Sequence, residues 1–255
     1  MPWEPDVYLR FADHRARPGY ELLARIPDVS PSLIVDLGCG TGSLTGALEE
    51  RWPTAEVIGI DSSAEMIAKA SATQYRVDWK IADISDWEPT RPVDVIYSNA
   101  TLHWLDDHRH LFSRLRSYLA PGGVLAVQMP DNWRAPTHQV LVDTIDNGEW
   151  PQAARDALMR DRLSAQHEYA AWVQPAELDM WRTTYFQQLE GDDPVWTWVS
   201  GAILVPVLAE LSDAEQKQFE QAVKQAYRVA YPQGPDGRTT VGFSRLFLVA
   251  RAITS

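Results

Sequence analysis

The chain has 255 residues, of which 45% are hydrophobic and 23% charged, so it is long enough to bury a substantial core. Its formal net charge is −12 and no cluster of lysine and arginine occurs, which argues against nucleic acid and anionic membranes as partners. Cys39 is the single cysteine, which excludes an internal disulfide and a cysteine-cluster metal site. Without a signal-peptide pattern or an apolar run of roughly 18 residues, we expect a cytoplasmic protein.

From residue 33 to 130, short apolar runs alternate with amphipathic stretches. Five strands are predicted at SLIVDLG, AEVIGID, VDWKIAD, VDVIYSNA and GVLAVQMP, with helices at SLTGALEERW, SAEMIAKAS and HLFSRLRSYL. The second helix is capped by Ser62 or Ser63. Strands that are apolar on both faces and alternate with helices are typical of a parallel sheet covered on both sides. The pattern predicts an α/β, Rossmann-like, doubly wound sheet.

After Pro130 the alternation stops. TTYFQQL and SRLFLVARA predict two further strands, which gives seven strands in a mostly parallel sheet. LSDAEQKQFEQAVKQAYRVAYP predicts an amphipathic helix, with Ser212 and Glu215 at capping-box spacing. No linker marks a boundary, so we expect a single domain over 1–255. Its parts are an N-terminal lid segment at 1–30 and an α-helical cap insertion, 131–182 and 195–230, over the ligand edge of the sheet.

The stretch VDLGCGTGSL, residues 35–44, places three glycines directly after the first predicted strand. Glycines in a strand–turn–helix unit allow a ligand to contact the backbone beside the free N–H groups of the helix. Gly38, Gly40 and Gly42 fit this geometry, although a tight turn without a ligand has the same pattern. Asp36, two residues before the first glycine, would repel a pyrophosphate and attract a cationic group.

Two further acids end the next two predicted strands. Asp61 follows the glycines by about 20 residues, where a carboxylate can accept hydrogen bonds from both ribose hydroxyls. Asp83 ends KIAD, where a carboxylate can accept a hydrogen bond from an adenine amino group. Either acid alone could instead cap the following helix. Three such features at the carboxyl ends of consecutive strands predict a site for a nucleoside without phosphates.

With LAPGGVLAVQ, these motifs make residues 30–130 resemble the class I S-adenosylmethionine-dependent methyltransferases. The resemblance implies S-adenosyl-L-methionine as the cofactor and ten contact positions, of which Met66 could equally be plain core. The ten are Asp36, Gly38, Gly40, Gly42, Asp61, Ser62, Met66, Asp83, Ile84 and Asn99. Cys39, inside the turn, is interpreted as a small buried filler.

A second resemblance extends nearly from end to end. The stretches WxxxxYLRF (3–11), RARP (15–18), AVQMPDN (126–132), PTH (136–138), WRTTY (181–185), AYP (230–232), DGR (236–238) and RLFLVA (245–250) are similar to those of the trans-aconitate 2-methyltransferases. That family esterifies a carboxylate of a small unsaturated tricarboxylic acid. The resemblance implies a small carboxylic acid as the methyl acceptor, and we expect a monomer or a homodimer.

His103, in NATLHW, stands after the fourth strand, where a base or a substrate contact is placed. A histidine that merely packs near the cofactor is the alternative. Tyr8 and Tyr185 join His103 as candidate catalytic residues by resemblance. The candidate acceptor contacts are Arg15, Arg17, Trp104, Gln128, Asn132, His138, Trp181 and Val205.

Two positions depart from the family pattern. Val205 stands where TGLRP would place an arginine, and Gly242 stands where LRFPRLF would place another. Arginine is the natural bidentate partner of a carboxylate, and such a bond is worth roughly 1.5–3 kcal/mol. The departures predict a less charged acceptor, unless Val205 is only core and other arginines compensate. Methylation of a hydroxyl or carbon of a more hydrophobic metabolite, or a non-methylating cyclase or binding role, stays open.

Overall fold

The structure is a computed structural model that describes residues 16–158, 163–201 and 203–253. The α-helices are α1 (Arg17–Arg25), α2 (Ser43–Arg51), α3 (Ala64–Ser71), α4 (His108–Ser117), α5 (Pro136–Asn147), α6 (Gln152–Ala157), α7 (Gln166–Trp172), α8 (Pro194–Ser200), α9 (Val205–Ala209) and α10 (Asp213–Ala230). The strands are β1 (Leu33–Leu37), β2 (Glu56–Asp61), β3 (Asp78–Ile81), β4 (Val93–Asn99), β5 (Leu119–Pro130), β6 (Ala176–Leu189) and β7 (Thr239–Ala252). A short 3₁₀ helix, Leu102–Trp104, follows β4.

The strands form one seven-stranded sheet in the order β3-β2-β1-β4-β5-β7-β6. Strands β1 to β5 pair in parallel, and β7 is antiparallel to β5. The strand order reverses between β1 and β4, so the loops after these two strands form the switch point where such sheets bind ligands. This arrangement confirms the predicted Rossmann-like, mostly parallel sheet.

The described residues divide into two compact units. The sheet unit contains residues 16–130, 163–182 and 245–253, and the helical unit contains 131–158, 183–201 and 203–244. Each unit has a buried hydrophobic cluster of its own. Among the described residues, no helix has the length and apolar composition needed to cross a membrane.

Within the sheet unit, α4 and α7 pack against one face of the sheet. Phe112 and Tyr169 are fully buried there, with ring centroids 4.8 Å apart. The Tyr169 hydroxyl lies 2.5 Å from His108 Nδ1, and His108 Nε2 lies 3.0 Å from the carbonyl oxygen of Leu102. These contacts connect α7 through α4 to the loop that follows β4.

The described part of the predicted lid segment is a packed helix. Leu22 and Leu23 of α1 are completely buried, and the Tyr97 hydroxyl donates to the carbonyl of Gly19 over 2.8 Å. The Arg51 guanidinium donates to the carbonyl of Ile26 over 2.8 Å. Residues 17–26 are therefore part of the core of the sheet unit, and a lid role remains a prediction for 1–15, which lie outside the described residues.

The boundaries of the predicted cap also differ from the structure. β6 begins at Ala176, seven residues before the predicted TTYFQQL strand, and residues 163–182 belong to the sheet unit. The side chains of β6 mostly alternate between partly buried and exposed, so this strand lacks the apolar run by which buried strands are recognised. β7 likewise begins at Thr239 rather than Ser244, and β3 is limited to Asp78–Ile81.

The helical unit is built around α10, which confirms the predicted amphipathic helix. Phe219 and Val223 are fully buried on its inner face. The backbone N–H of Ser212 donates to the Glu215 carboxylate over 2.8 Å, and the N–H of Glu215 donates to the Ser212 hydroxyl over 3.4 Å. This reciprocal pair is the predicted capping box.

Candidate active site

The glycine turn after β1 has three residues with positive φ: Gly38 at 78°, Gly40 at 55° and Gly42 at 86°. A Cβ at Gly38 would overlap the Thr101 side chain, and one at Gly42 would lie 2.5 Å from the Trp79 ring. A Cβ at Gly40 would meet no atom within 4 Å. Two of the glycines therefore make room for the protein's own side chains, and Gly40 alone of the three opens onto space that a ligand can enter.

Asp61 joins the end of β2 to this turn. Its Oδ2 accepts the Gly40 N–H over 3.0 Å, and its Oδ1 accepts the Ser63 N–H over 2.9 Å. The Ser63 hydroxyl accepts the Met66 N–H over 3.3 Å and caps the N-terminus of α3. Of the two predicted capping residues, Ser62 and Ser63, the structure therefore selects Ser63. Because each carboxylate oxygen has a further lone pair, Asp61 can still accept hydrogen bonds from a diol.

Asp36 lies beneath the turn with only 2% of its surface exposed. Thr45 donates its hydroxyl to Asp36 Oδ2 over 2.6 Å. Burial raises the pKa of Asp36 from 3.8 to about 7, the Thr45 hydrogen bond opposes this rise, and the negative charge of Asp61 adds to it. A cationic group placed against Asp36 would favour the ionised form, so the site is suited to bind one.

The Asp36 pKa predicts a pH-dependent stability. Between pH 3.8 and about 7 the folded protein holds this proton more tightly than the unfolded chain, so stability falls as the pH rises through this window. The loss is at most about 1.4 kcal/mol per pH unit. Asp36→Asn cannot ionise but still accepts the Thr45 hydroxyl, so it should gain stability relative to wild type as pH rises. Urea unfolding of the ligand-free proteins at pH 5 and pH 8 measures this; a pH-independent difference contradicts it.

The remaining predicted cofactor residues follow the ends of β2, β3 and β4. Asp83 is exposed, and its Oδ1 accepts the Ser85 N–H over 2.8 Å, which helps keep the pKa of Asp83 below its ordinary value. Ile84 is buried in the hydrophobic cluster, Met66 is partly buried and Ser62 is exposed.

Asn99 and the residues after it form the β4 side of the switch point. Asn99 Oδ1 is buried and has no hydrogen-bond partner among the described residues. Ala100, which follows, has a φ of 54°, and its N–H donates to the carbonyl of Gln128 over 2.9 Å. A non-glycine residue in this left-handed region is strained, and such strain concentrates at functional sites.

Sequence reasoning missed Thr101 and Trp79, which fill the space beside Gly38 and Gly42. Thr101 Oγ1 donates to the carbonyl of Asn99 over 3.2 Å. Both residues contact the glycine turn from distant parts of the chain, so no spacing in the sequence points to them. The position of Thr101, directly after the predicted fourth strand, was the available sign that it lies near the site.

His103 lies on the 3₁₀ helix and is 6% exposed, and its Nδ1 has no hydrogen-bond partner among the described residues. Burial first, then the positive charge of Arg245 and the neighbouring His108, lower the pKa of His103 to about 3. The imidazole is therefore neutral near pH 7. A base with so low a pKa has little driving force to remove a proton.

Replacement of His103 by asparagine tests this interpretation. The kcat of His103→Asn at saturating substrates should fall by less than about tenfold, whereas loss of a general base costs roughly 100- to 10,000-fold. The measurement is steady-state kinetics from pH 6 to 8, with circular dichroism as the check on folding. A fall in kcat beyond about 100-fold in a folded variant would make His103 the base after all.

The candidate acceptor contacts of the sheet unit have varied surroundings. Trp104 is 55% exposed, and Gln128 is 1% exposed, with no described residue within hydrogen-bonding reach of its Nε2. Trp181 stacks on Phe247 with ring centroids 4.7 Å apart. Arg17 forms an ion pair of 2.8 Å with a glutamate one turn along α1. Tyr8 and Arg15 lie outside the described residues.

The other candidates belong to the helical unit. Asn132 accepts the Ser244 N–H through Oδ1 over 2.7 Å. His138 and Tyr185 are buried, and Val205 is 55% exposed at the start of α9. Val205 is thus not a core residue. The acceptor roles of these residues, like those of the candidates in the sheet unit, remain predictions.

Cys39 is not suited to act as a nucleophile in this site. Cys39 is 8% exposed, and burial together with the charges of Asp36 and Asp61 raises the pKa of its thiol, so it is a poor nucleophile. Within the described ranges, no group of histidine, cysteine, aspartate and glutamate side chains is arranged to hold a metal ion.

Comparison with known proteins identifies the family of this chain. A family model described as "Methyltransferase domain" matches residues 8–182. Trans-aconitate 2-methyltransferase of Escherichia coli O157:H7 is 41% identical over 251 residues, and that of Yersinia pseudotuberculosis (strain YPIII) is 43% identical over 253, each match covering 98% of both chains. A crystal structure of an S-adenosylmethionine-dependent methyltransferase from Mesorhizobium loti has a TM-score of 0.53 at 19% identity, covering 95% of this chain and 99% of that one, which supports the fold. The chain therefore belongs to the S-adenosylmethionine-dependent methyltransferases, and among them to the trans-aconitate 2-methyltransferase family.

Proposed function

We propose that this methyltransferase esterifies one carboxylate of a small unsaturated tricarboxylic acid of the trans-aconitate type. The observation that carries the proposal is the neutral, buried His103 in a chain 41–43% identical to trans-aconitate 2-methyltransferases. An ionised carboxylate reacts without giving up a proton, so this acceptor needs no general base. A hydroxyl or carbon acceptor would usually need one.

The residues of the switch point fit the cofactor. Gly40 offers open space against the backbone, and Asp61 offers two carboxylate oxygens at the end of β2. The buried Asn99 Oδ1 accepts no hydrogen bond from any residue that the structure describes. When bound, S-adenosylmethionine supplies an electrophilic methyl group on a sulfonium sulfur. Asp61 would bind the ribose, and Asp36 and Asn99 would accept hydrogen bonds from the cationic amino group. Asp83, with the N–H groups beside it, would bind the adenine.

With no proton to move, the protein's contribution is to position the acceptor and exclude water. We assign these tasks to the acceptor residues of the sheet unit, in particular Gln128 and His103. Gln128 Nε2 and His103 Nδ1 are buried and have no hydrogen-bond partner in the part of the chain that the structure describes. Tyr8, Arg15 and the helical-unit candidates remain proposals for the same tasks. His103 acts here as a neutral hydrogen-bonding group.

Val205 and Gly242 favour a second candidate, a less charged acid. Both positions lack the arginine expected from the family pattern, and Val205 leaves a hydrophobic side chain 55% exposed. A Cβ at Gly242 would lie 3.0 Å from the Thr184 side chain, so an arginine there would require a shift of that neighbour. A monocarboxylic acceptor would tolerate both changes.

Product chemistry separates these possibilities. The purified protein is incubated with S-adenosylmethionine and trans-aconitate, and the product is identified by mass spectrometry before and after mild base. The proposal expects one added methyl group that base removes, because an ester hydrolyses and an ether or C-methyl does not. Absence of any product with trans-aconitate, together with turnover of a monocarboxylic acid, would instead favour the second candidate.

A further inference from the structure

Unpartnered polar atoms collect at one end of the sheet unit. Gln128 Nε2 and His103 Nδ1 are buried without a hydrogen-bond partner among the described residues, although these side chains are only 1% and 6% exposed. Buried polar groups in native proteins are nearly always paired, since an unpaired one costs stability. Two orphaned groups beside the ligand edge point to a partner that is a ligand.

Strand pairing brings Arg245 to the same place. Gln128 of β5 pairs with Phe247 of β7, and Pro130 pairs with Arg245. Paired residues of neighbouring strands share a face of the sheet, and residues two positions apart on one strand share it as well. Arg245 is therefore the diagonal neighbour of Gln128 on one face, a separation that long side chains can bridge. Its charge also acts on His103.

These three residues have the chemistry of an anion site. The Arg245 guanidinium carries a permanent positive charge and only donors, and the free Gln128 Nε2 is also a donor. A neutral imidazole can place its proton on Nδ1 and become a third donor. A carboxylate is the planar anion that a guanidinium binds best.

The reacting carboxylate is the less suitable occupant of this site. Its oxygen must offer electron density to the methyl group, and a guanidinium with two further donors would withdraw that density. A second carboxylate of the acceptor has no such conflict. Asn99, which pairs with Gln128 from the β4 side, offers an acceptor atom and so belongs with the cofactor's amino group rather than with the anion.

We propose that Arg245, together with Gln128 and His103, binds a carboxylate of the acceptor other than the one that is methylated. The inference rests on the proposed function and deepens it, because it requires an acceptor with at least two carboxylates. It also provides an arginine that can bind the acid, although Val205 and Gly242 stand at the two positions where the family pattern has arginines. Arg245 is accordingly a binding and positioning residue for the acceptor.

The test compares Arg245→Gln with Arg251→Gln, a matched change at an exposed arginine six residues along the same strand. With the S-adenosylhomocysteine-loaded protein, titration calorimetry should show about a tenfold or greater rise in the Kd of trans-aconitate for Arg245→Gln and no change for Arg251→Gln. The Kd of trans-aconitate for Arg245→Lys should lie between those for wild type and Arg245→Gln. Lysine keeps the positive charge but cannot donate two parallel hydrogen bonds to one carboxylate. The Kd of S-adenosylhomocysteine itself should not change, which controls for folding.

Kinetics decide which carboxylate is held. For a non-reacting carboxylate, Arg245→Gln should raise KM and leave kcat within about threefold of wild type. A loss confined to kcat, or acid binding equal to that of Arg251→Gln, overturns the inference while the proposed function stands. If the wild-type protein bound trans-aconitate through Arg245 but did not methylate it, the proposed function would be overturned. The assignment of Arg245 to an anion site would still stand.

Discussion

Replacing Gly40 by alanine should leave the protein folded but weaken S-adenosylhomocysteine binding on the order of 100-fold or more. A Cβ at this position meets no protein atom within 4 Å, so it projects into the space assigned to the cofactor. The conformational cost is limited, because an alanine at a φ of 55° loses roughly 1–2 kcal/mol. For a domain of this size, that corresponds to a fall in Tm of several degrees.

Two other glycines of the chain serve as matched controls. Gly38→Ala has a similar positive φ, but its Cβ would overlap the Thr101 side chain, so it should lose stability by an additional 1–3 kcal/mol or so from overpacking. Gly237→Ala has a φ of 78° and open space, and it lies in the helical unit, so it measures the conformational cost alone.

Thermal unfolding and calorimetric titration with S-adenosylhomocysteine measure the three variants side by side. Gly40→Ala should match Gly237→Ala in Tm and differ from it only in affinity. If Gly40→Ala bound the nucleoside as tightly as wild type, the open space beside Gly40 would not be the cofactor site. The glycine turn would then be a structural turn only.

The sheet and the residues assigned to the cofactor could be predicted, because the sequence patterns that indicate them lie within short stretches of the chain. The alternation of apolar strands with helices predicts a parallel sheet. Such a sheet brings the end of β1, the turn after it and the end of β2 to one edge, where Asp36, Gly40 and Asp61 lie. The capping box of α10 was visible for the same reason, since its partners are three residues apart.

What could not be predicted depends on contacts between distant segments. Gly38 and Gly42 are glycines because Thr101, in the loop after β4, and Trp79, on β3, occupy the space beside them. The beginning of β6 was missed because an edge strand with alternating partial burial has no continuous apolar run. The ability of His103 to act as a base depends on its burial and on the charge of Arg245, and the residues next to it in the sequence indicate neither.

Resemblance to the family did not identify every residue that we assign to the acceptor. The stretch RLFLVA, which contains Arg245, resembles the family, but the resemblance does not indicate a role for Arg245 in binding the acid. Its placement diagonal to Gln128 follows only from the antiparallel register of β7 on β5. The sequence pattern does not contain this register, because residues 131–238 separate β7 from β5 along the chain.

The second large effect is expected for Asp61→Ala, which should raise the Kd of S-adenosylhomocysteine at least about 100-fold. Two hydrogen bonds from ribose hydroxyls to a charged carboxylate are worth roughly 1.5–3 kcal/mol each. The variant also removes the acceptor of the Gly40 N–H, so the turn itself loses a restraint. Asp86→Ala, at an exposed acid in the loop after β3, is the matched control and should bind normally.

A change in affinity alone would not separate these two roles of Asp61, because loosening the Gly40 turn weakens binding without any contact to the ribose. A 2′,3′-dideoxy analogue of S-adenosylhomocysteine separates them, since it lacks the hydroxyls and keeps every other group. If Asp61 accepts the hydroxyls, wild type should bind the analogue far more weakly than the parent, and Asp61→Ala should bind both alike. If the variant still preferred the parent by the wild-type factor, the ribose contact would belong to another residue, and Asp61 would act only by holding Gly40 in place.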